Sequence, residues 1–542
     1  MRNRHPRTGN RFILAGVLCL AVSSAVVAQT PSQGVFTYHN DLARTGQNLN
    51  ETILSPPNVN STSFGKLFAD PVDGQVYAQP LYVMNVAIPG QGIHNVVYVA
   101  TENNTVYAFD ADTQGAPLWQ TSLIINGGTA VPSSDIPDVN CSNLVPIIGV
   151  TGTPVIDPTT NTLYVVAKTK EGPSTAPSYF QRLHALDIAT GEEKFGGPVA
   201  IEATVSGTGD GSNGTTITFS PFQQLNRPGL ALVNGVVYIA FGSHCDSDPY
   251  HGWILAYDAS QLTQVGVFIT TPNGSEGGIW QSGGSVAVDA DNNLYVMTGN
   301  GTFDANQPNG MDFGDSVLKL VQSGNTLTLV DYFTPFNQGT LQADDTDLGS
   351  GAPVVLPNQS GAPVSSLLVG AGKEGTIYLL NRDNLGQFCS GCTSDPQIVQ
   401  SIPSALRANF STPAFWNNTV YFLAAGDVLK AFSLSDGQLS TSPTSQAMTA
   451  FGFPGATPSV SANGTTGGII WALQTDAFAA NDPAVLHAYD ANNVANELYS
   501  SNQAAGGRDT LGPAVKFTVP TVVNGKVYVG TANELDVFGV LP

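Results

Sequence analysis

The chain writes one β-hairpin again and again, so any fold proposed for it must use every copy. The clearest copy is VVYVATENNTVYAFDADTQG, Val96 to Gly115. Val97, Val99 and Thr101 alternate with Tyr98 and Ala100, Asn103-Asn104 suits a tight turn, and Thr105 to Asp110 returns as a second strand. Further copies begin near Thr151, Arg227, Ser285, Ala352, Ser411, Ala456 and Val519. Each has an entering strand, a central strand around a Tyr or Trp, and an outgoing strand that ends near an Asp. Several entering strands open with proline (Pro154, Pro413, Pro458, Pro520), where no ladder donor is required.

A unit of this kind has two apolar faces and cannot bury both alone, so the copies must stack. They are too long and too hairpin-like for the coils of a β-helix, which leaves radial stacking. The expected fold is all-β, an eight-bladed β-propeller, with seven blades as the smaller alternative. The last copy lacks an outermost strand, and FGKLFADPVD, Phe64 to Asp73, precedes the first. That N-terminal strand would complete the last blade and remove the open edges. No linker interrupts residues 64–542, which read as one propeller domain. Residues 29–63 read as an N-terminal arm, and its stretch from Tyr38 to Gly46 is polar enough to cross a face of the ring.

Residues 1–28 read as a cleavable signal peptide. Arg2, Arg4, Arg7 and Arg11 precede an apolar run from Phe12 to Leu20, and small residues end at Ala28. A periplasmic or secreted protein is expected. No later apolar run reaches the ~18 residues of a spanning helix, so no membrane insertion is expected. The net charge of −22 argues against nucleic acid as a partner, leaving a small-molecule ligand or an envelope protein. The acidic surplus reads as a solubilising surface, with calcium binding as the sharper reading. Beyond the signal the cysteines are Cys141, Cys245, Cys389 and Cys392, an even set that suggests disulfides in an oxidising compartment. The CxxC pair Cys389 and Cys392 reads as a small loop closure, and Cys141 with Cys245 then follows by arithmetic alone.

The phrases ALDIATGE, AFDADTQG and AYDAS on outgoing strands resemble the repeat of the pyrroloquinoline-quinone (PQQ) propeller superfamily. The middle blades resemble the quinoprotein alcohol dehydrogenases in particular. GGIWQSGGSVAVDADNNLYVMTGNG, Gly277 to Gly301, is similar to that family's segment in which a Trp is followed by Gly-Asn. The resemblance implies Trp280 as the floor beneath the quinone and Asn300 as a calcium ligand. It also implies Asp347, in the run Asp344-Asp345-Thr346-Asp347, as the catalytic base beside the metal. Lys373 would be the cation at the quinone oxygens. The chemistry suits these residues: a flat ring stacks on a planar cofactor, an amide oxygen is a hard ligand, and a carboxylate can take an alcohol proton. PQQ and calcium are the cofactors implied, and the absence of a CxxCH motif implies no haem.

The departures are specific. Val139-Asn140-Cys141-Ser142-Asn143 holds one cysteine where the family has an adjacent pair, and the arginine that would bind a cofactor carboxylate is missing just downstream. The calcium-ligating glutamate is also missing, with Asp246 or Asp248 as substitutes. His244 and His251 join those two aspartates in the densest His and carboxylate cluster of the chain, readable as a transition-metal site or as turn hydrogen bonds. His184 and His487 hold equivalent repeat positions and belong to the scaffold. Two functions stay open: an exported PQQ-dependent alcohol or sugar dehydrogenase, and a cofactor-free binding or scaffold propeller of the cell envelope.

Overall fold

The computed structural model describes residues 1–3, 33–136 and 144–542. Apart from its first three residues, the expected signal peptide lies outside the described residues, as does Cys141. Eight antiparallel sheets form an eight-bladed propeller. The inner strands of blades 1 to 8 are Leu81–Ile88, Val155–Asp157, Ala231–Val233, Ala287–Val288, Val354–Val355, Ala414–Trp416, Ser459–Asn463 and Thr521–Val523. Outside each inner strand lie the two strands of the sequence repeat. In blade 1, Gly92–Ala100 pairs with Thr105–Asp110, setting Val97 opposite Phe109 and Val99 opposite Tyr107.

The structure explains why the repeat keeps Tyr and Asp. The Asp that ends the outgoing strand accepts a hydrogen bond from the backbone N–H two residues on, an Asx turn: Asp110 from Asp112, Asp187 from Ala189, Asp258 from Ser260 and Asp490 from Asn492. The turn holds out the carbonyl that follows the Asp, and a Tyr of the neighbouring blade donates to it. Tyr98 reaches Ile188 O at 2.9 Å, Tyr164 reaches Ala259 O at 2.8 Å and Tyr421 reaches Ala491 O at 2.7 Å. Tyr528 of blade 8 reaches Ala111 O of blade 1 at 3.0 Å, so the same link crosses the seam of the ring. Between the sheets the apolar faces interlock, as where Val155 and Tyr164 of blade 2 pack with Ile239 and Trp253 of blade 3.

Phe64–Pro71 closes the ring by pairing antiparallel with Glu534–Val540 as the outer strand of blade 8. The arm before it passes the eight blades in turn. Its backbone lies along the inner strands at the axis: Val35 pairs with Tyr82, Phe36 O accepts from Ile156, Leu42 O from Val288, Ala43 O from Val355, Thr45 O from Phe415 and Gly46 O from Val460. Tyr38 packs on Gly229 of blade 3, and Asn48 Nδ2 donates to Val522 O of blade 8, so all eight blades touch it. The physical reason is that converging inner strands leave unpaired backbone groups, and a polar, small-residue segment satisfies them.

Two insertions leave the repeat pattern. A hairpin of Thr204–Ser206 with Thr216–Thr218 forms a sheet of its own beside blades 2 and 3. A short helix, Gln338–Ala343, sits between blades 4 and 5. Among the described residues no helix is long and apolar enough to cross a membrane.

Candidate functional site

Loops that lead into the inner strands, together with the turns that follow the central strands, surround a cavity of about 190 Å³ at one mouth of the axis. That is several times the ~30 Å³ share of one water molecule, enough for an organic group and more than an ion needs. Trp280, Asp246, Asp347 and Lys373 line one side, from blades 3, 4 and 5; Phe410, Phe453 and Phe517 line the other, from blades 6, 7 and 8. The arm closes the axis beneath. Tyr38 Oη is 3.0 Å from Thr412 Oγ1, two residues inside Phe410, and Arg44 Nε donates to Val286 O, four residues inside Ser282.

Trp280 lies against three glycines. A Cβ at Gly242, Gly278 or Gly299 would come within 2.7, 2.6 or 2.5 Å of its ring, so no other residue fits there without moving the indole. Its Nε1–H donates to Ser243 O at 3.0 Å, and Tyr250 meets it edge-on at 5.7 Å. Glycine on the supporting side and an open cavity on the other make this ring a platform.

Asp347 follows the inserted helix and is buried. Asn300 N–H donates to its Oδ1 at 2.7 Å, and Lys373 Nζ lies 2.5 Å from its Oδ2 and 2.8 Å from Asp345 Oδ1. Burial pushes the Lys373 ammonium down, but Asp347 and Asp345 together outweigh it and hold the group above the ordinary lysine value. The helix fixes this arrangement from behind. Gln342 accepts from Gly301 N–H and donates to Glu276 at 2.9 Å, while Gln338 donates to Gly301 O at 3.2 Å. Asp315 accepts from Leu348 N–H at 3.0 Å, and burial, with the Asp347 charge adding to it, raises its carboxyl well above the usual carboxylate range. Gln338, Gln342, Tyr250 and Asp315 thus support the site, and none carries a motif that marks it in sequence.

Asp246 stands on the mouth wall after a turn in which Cys245 and Asp246 both take left-handed backbone, each at φ 50°. Tyr250 Oη donates to its Oδ1 at 3.0 Å. Although the side chain keeps contact with solvent in the cavity, its withdrawal from bulk water, and then the Asp347 charge, raise the carboxyl to about 6. Asp248 does not join it: its charged neighbours are Asp210 and His251. The His cluster is dispersed as well. His244 Nε2 meets Lys168 Nζ at 2.6 Å inside the protein, and His251 bonds Thr271 at 2.8 Å and Asp210 O at 2.9 Å. His184 and His487, at their equivalent positions, pair with Glu193, just past the following turn, and with Glu497 on the adjoining strand.

The residues fit a planar quinone better than they fit calcium. An indole, a carboxylate and an ammonium group, those of Trp280, Asp347 and Lys373, line one cavity. For a metal, Asn300 Oδ1 is buried without a hydrogen-bond partner, which suits a ligand atom, but Lys373 already occupies the Asp347 carboxylate. Among the described residues no group of three or more His, Cys, Asp or Glu side chains could hold an ion. Calcium takes six to eight oxygens. Cys389 and Cys392 are bonded to each other, closing a small loop, and Cys245 is disulfide-bonded.

No protein-family model matches the chain, and no curated protein sequence matches it. Solved structures do. The chain is similar to the quinohemoprotein alcohol dehydrogenase ADHIIG of Pseudomonas putida HK5, with a TM-score of 0.57 and 15% identity over 94% of this chain and 80% of that one. BamB from Moraxella catarrhalis gives 0.44 and 13% over 88% and 99%, and Sqt1 of Saccharomyces cerevisiae gives 0.49 and 10% over 89% and 100%. With its blade count, its seam and the likeness to the alcohol dehydrogenase, the chain has an eight-bladed β-propeller fold, the fold of that quinoprotein.

Proposed function

We propose that the axial mouth is a small-molecule site of the quinoprotein kind, and that the protein uses a planar, anionic ortho-quinone held over Trp280 to oxidise an alcohol or a sugar. The observation that carries this reading is the convergence of Trp280, Asp347 and Lys373, drawn from separate stretches of sequence, on one cavity, with Asn300 behind them holding Asp347 through its backbone N–H. The quinone, when bound, supplies the hydride acceptor. The rest falls to the chain. Asp347, fixed through Oδ1 by the Asn300 N–H, offers Oδ2 to take the substrate hydroxyl proton. Lys373, which contacts the same carboxylate, would supply positive charge at the quinone oxygens, where negative charge develops when the hydride arrives. The aromatic lip of Phe410, Phe453 and Phe517 excludes water from the opposite wall. No step is assigned to calcium, because its donor set is incomplete.

The address belongs to the same reading: a signal peptide cleaved near Ala28 delivers the protein to the periplasm or the medium. One observation favours a second reading, a cofactor-free binding or scaffold propeller. Asp345 and Asp347 already neutralise Lys373, so this part of the site is satisfied without a ligand. The experiment is to add the quinone to purified protein, with and without calcium, and follow dye reduction over a panel of alcohols and sugars. Turnover that disappears in Asp347→Asn supports the dehydrogenase. Quinone that neither binds nor turns over leaves the binding propeller.

A further inference from the structure

Two buried cations at the mouth have no counter-ion. Arg227, from the loop into blade 3, is 6% exposed, and Lys516, from the loop into blade 8, is 5% exposed; both line the cavity. Among the described residues neither makes an ion pair within 4 Å, and Arg227 Nη2 has no hydrogen-bond partner. The guanidinium stacks at 4.3 Å over Phe517 and at 5.3 Å over Tyr77. Such stacking engages the faces of the plane and leaves its N–H edge unpaired. The carboxylate acting on Arg227 is that of Glu102, which hydrogen-bonds Gly149 N and Thr151 Oγ1 instead. Burial, and then the Arg227 charge, push the Lys516 ammonium down to about 8. Unpaired charges in so buried a place destabilise a fold unless a ligand completes them.

We infer that Arg227 and Lys516 form an anion subsite which takes the carboxylate of a ligand whose flat apolar body lies in the mouth between Trp280 and Phe517. A guanidinium edge matches a carboxylate in a bidentate fork, and the ammonium adds a point charge beside it. The subsite lines the same cavity as the Lys373 group but comes from blades 3 and 8, so it gives the ligand a second point of attachment and sets its direction. It does not rest on the quinone reading, since any aromatic acid of this shape meets the same pair.

The test is calorimetric titration of the purified protein with 2-naphthoate and with its uncharged analogue 2-naphthamide, repeated on Arg227→Met and Lys516→Met. The acid should bind at least about tenfold more tightly than the amide, and each substitution should remove most of that preference. Arg227→Met should also raise the thermal midpoint of the free protein, because an uncompensated buried charge is gone, whereas an arginine that serves only packing would lower it. Lys516→Met answers the same question if the arginine variant does not fold. The inference is overturned by equal binding of acid and amide, by no binding of the acid at about 1 mM, or by an unchanged preference in both variants. Naphthoate binding without quinone binding leaves the subsite standing and removes the quinone reading; the reverse removes the subsite alone.

Discussion

Phe64→Ala is the sharpest probe of ring closure. Phe64 opens the outer strand of blade 8 and is fully buried. Its ring meets Tyr499 edge-on at 4.9 Å, Trp471 at 5.4 Å and Phe538 at 6.2 Å. Truncating a buried phenylalanine costs about 3–5 kcal/mol. At ~2.1 cal/mol/K per residue, a chain of 542 residues has an unfolding entropy of about 1 kcal/mol/K. If the ring opens as one unit, the thermal midpoint therefore falls by about 3–5 °C. Calorimetry gives the midpoint, and amide exchange shows what opens: Glu534–Val540 should lose protection together with strands of blades 1 and 7. Thr204→Ala, on the side hairpin outside the ring, should move the midpoint by less than about 1 °C. A fall below about 1 °C in Phe64→Ala, or exposure confined to blade 8, would show that this strand does not hold the ring shut.

Gly299→Ala places a Cβ 2.5 Å from both the Trp280 ring and Asp347 Oδ1. Displacing platform and base together should cut dye reduction by about a hundredfold and change the near-ultraviolet dichroism, with the far-ultraviolet spectrum kept. The Asp246 carboxyl, raised from 3.8 to about 6, binds its proton more firmly in the folded protein than in the unfolded chain. Its contribution is present at low pH and is lost as the pH rises through 6; urea midpoints should decline across that window, and Asp246→Asn should flatten the decline. Replacing Cys389 and Cys392 together by serine opens a loop of sequence separation 3, and the chain-entropy relation gives a loss of about 2 kcal/mol, read as a midpoint lower by about 2 °C or less.

The architecture was legible because its signals are local and repeated. Alternation around Tyr98, Tyr164, Tyr421 and Tyr528 marked the central strands, and the Asp that ends each outgoing strand marked the turn. The seam was legible too, since Phe64 to Asp73 is an unclaimed strand beside a blade that lacks one. The course of the arm was not. Tyr38 to Gly46 looks like a polar surface segment, and only the converging inner strands supply the partners that draw it to the axis. At the mouth, Trp280, Asn300, Asp347 and Lys373 stood out by resemblance to a family. Asp246 and Asp248 could not be told apart, because two left-handed residues and a turn decide which of them faces the cavity. Gln342 and Asp315 act through backbone groups and leave no pattern. Arg227 and Lys516 lie 289 residues apart, and what singles them out is a missing partner, which a sequence does not display.

The central claim is that the mouth holds a planar anionic ligand over Trp280. Equilibrium dialysis of the purified protein against pyrroloquinoline quinone, with the bound fraction read by its absorbance, tests it most directly in wild type, Trp280→Ala and Asp347→Asn. Saturable binding at one site per chain, lost in Trp280→Ala and kept in Asp347→Asn, is the predicted result. No retained quinone in the wild type, or equal retention in Trp280→Ala, would contradict it.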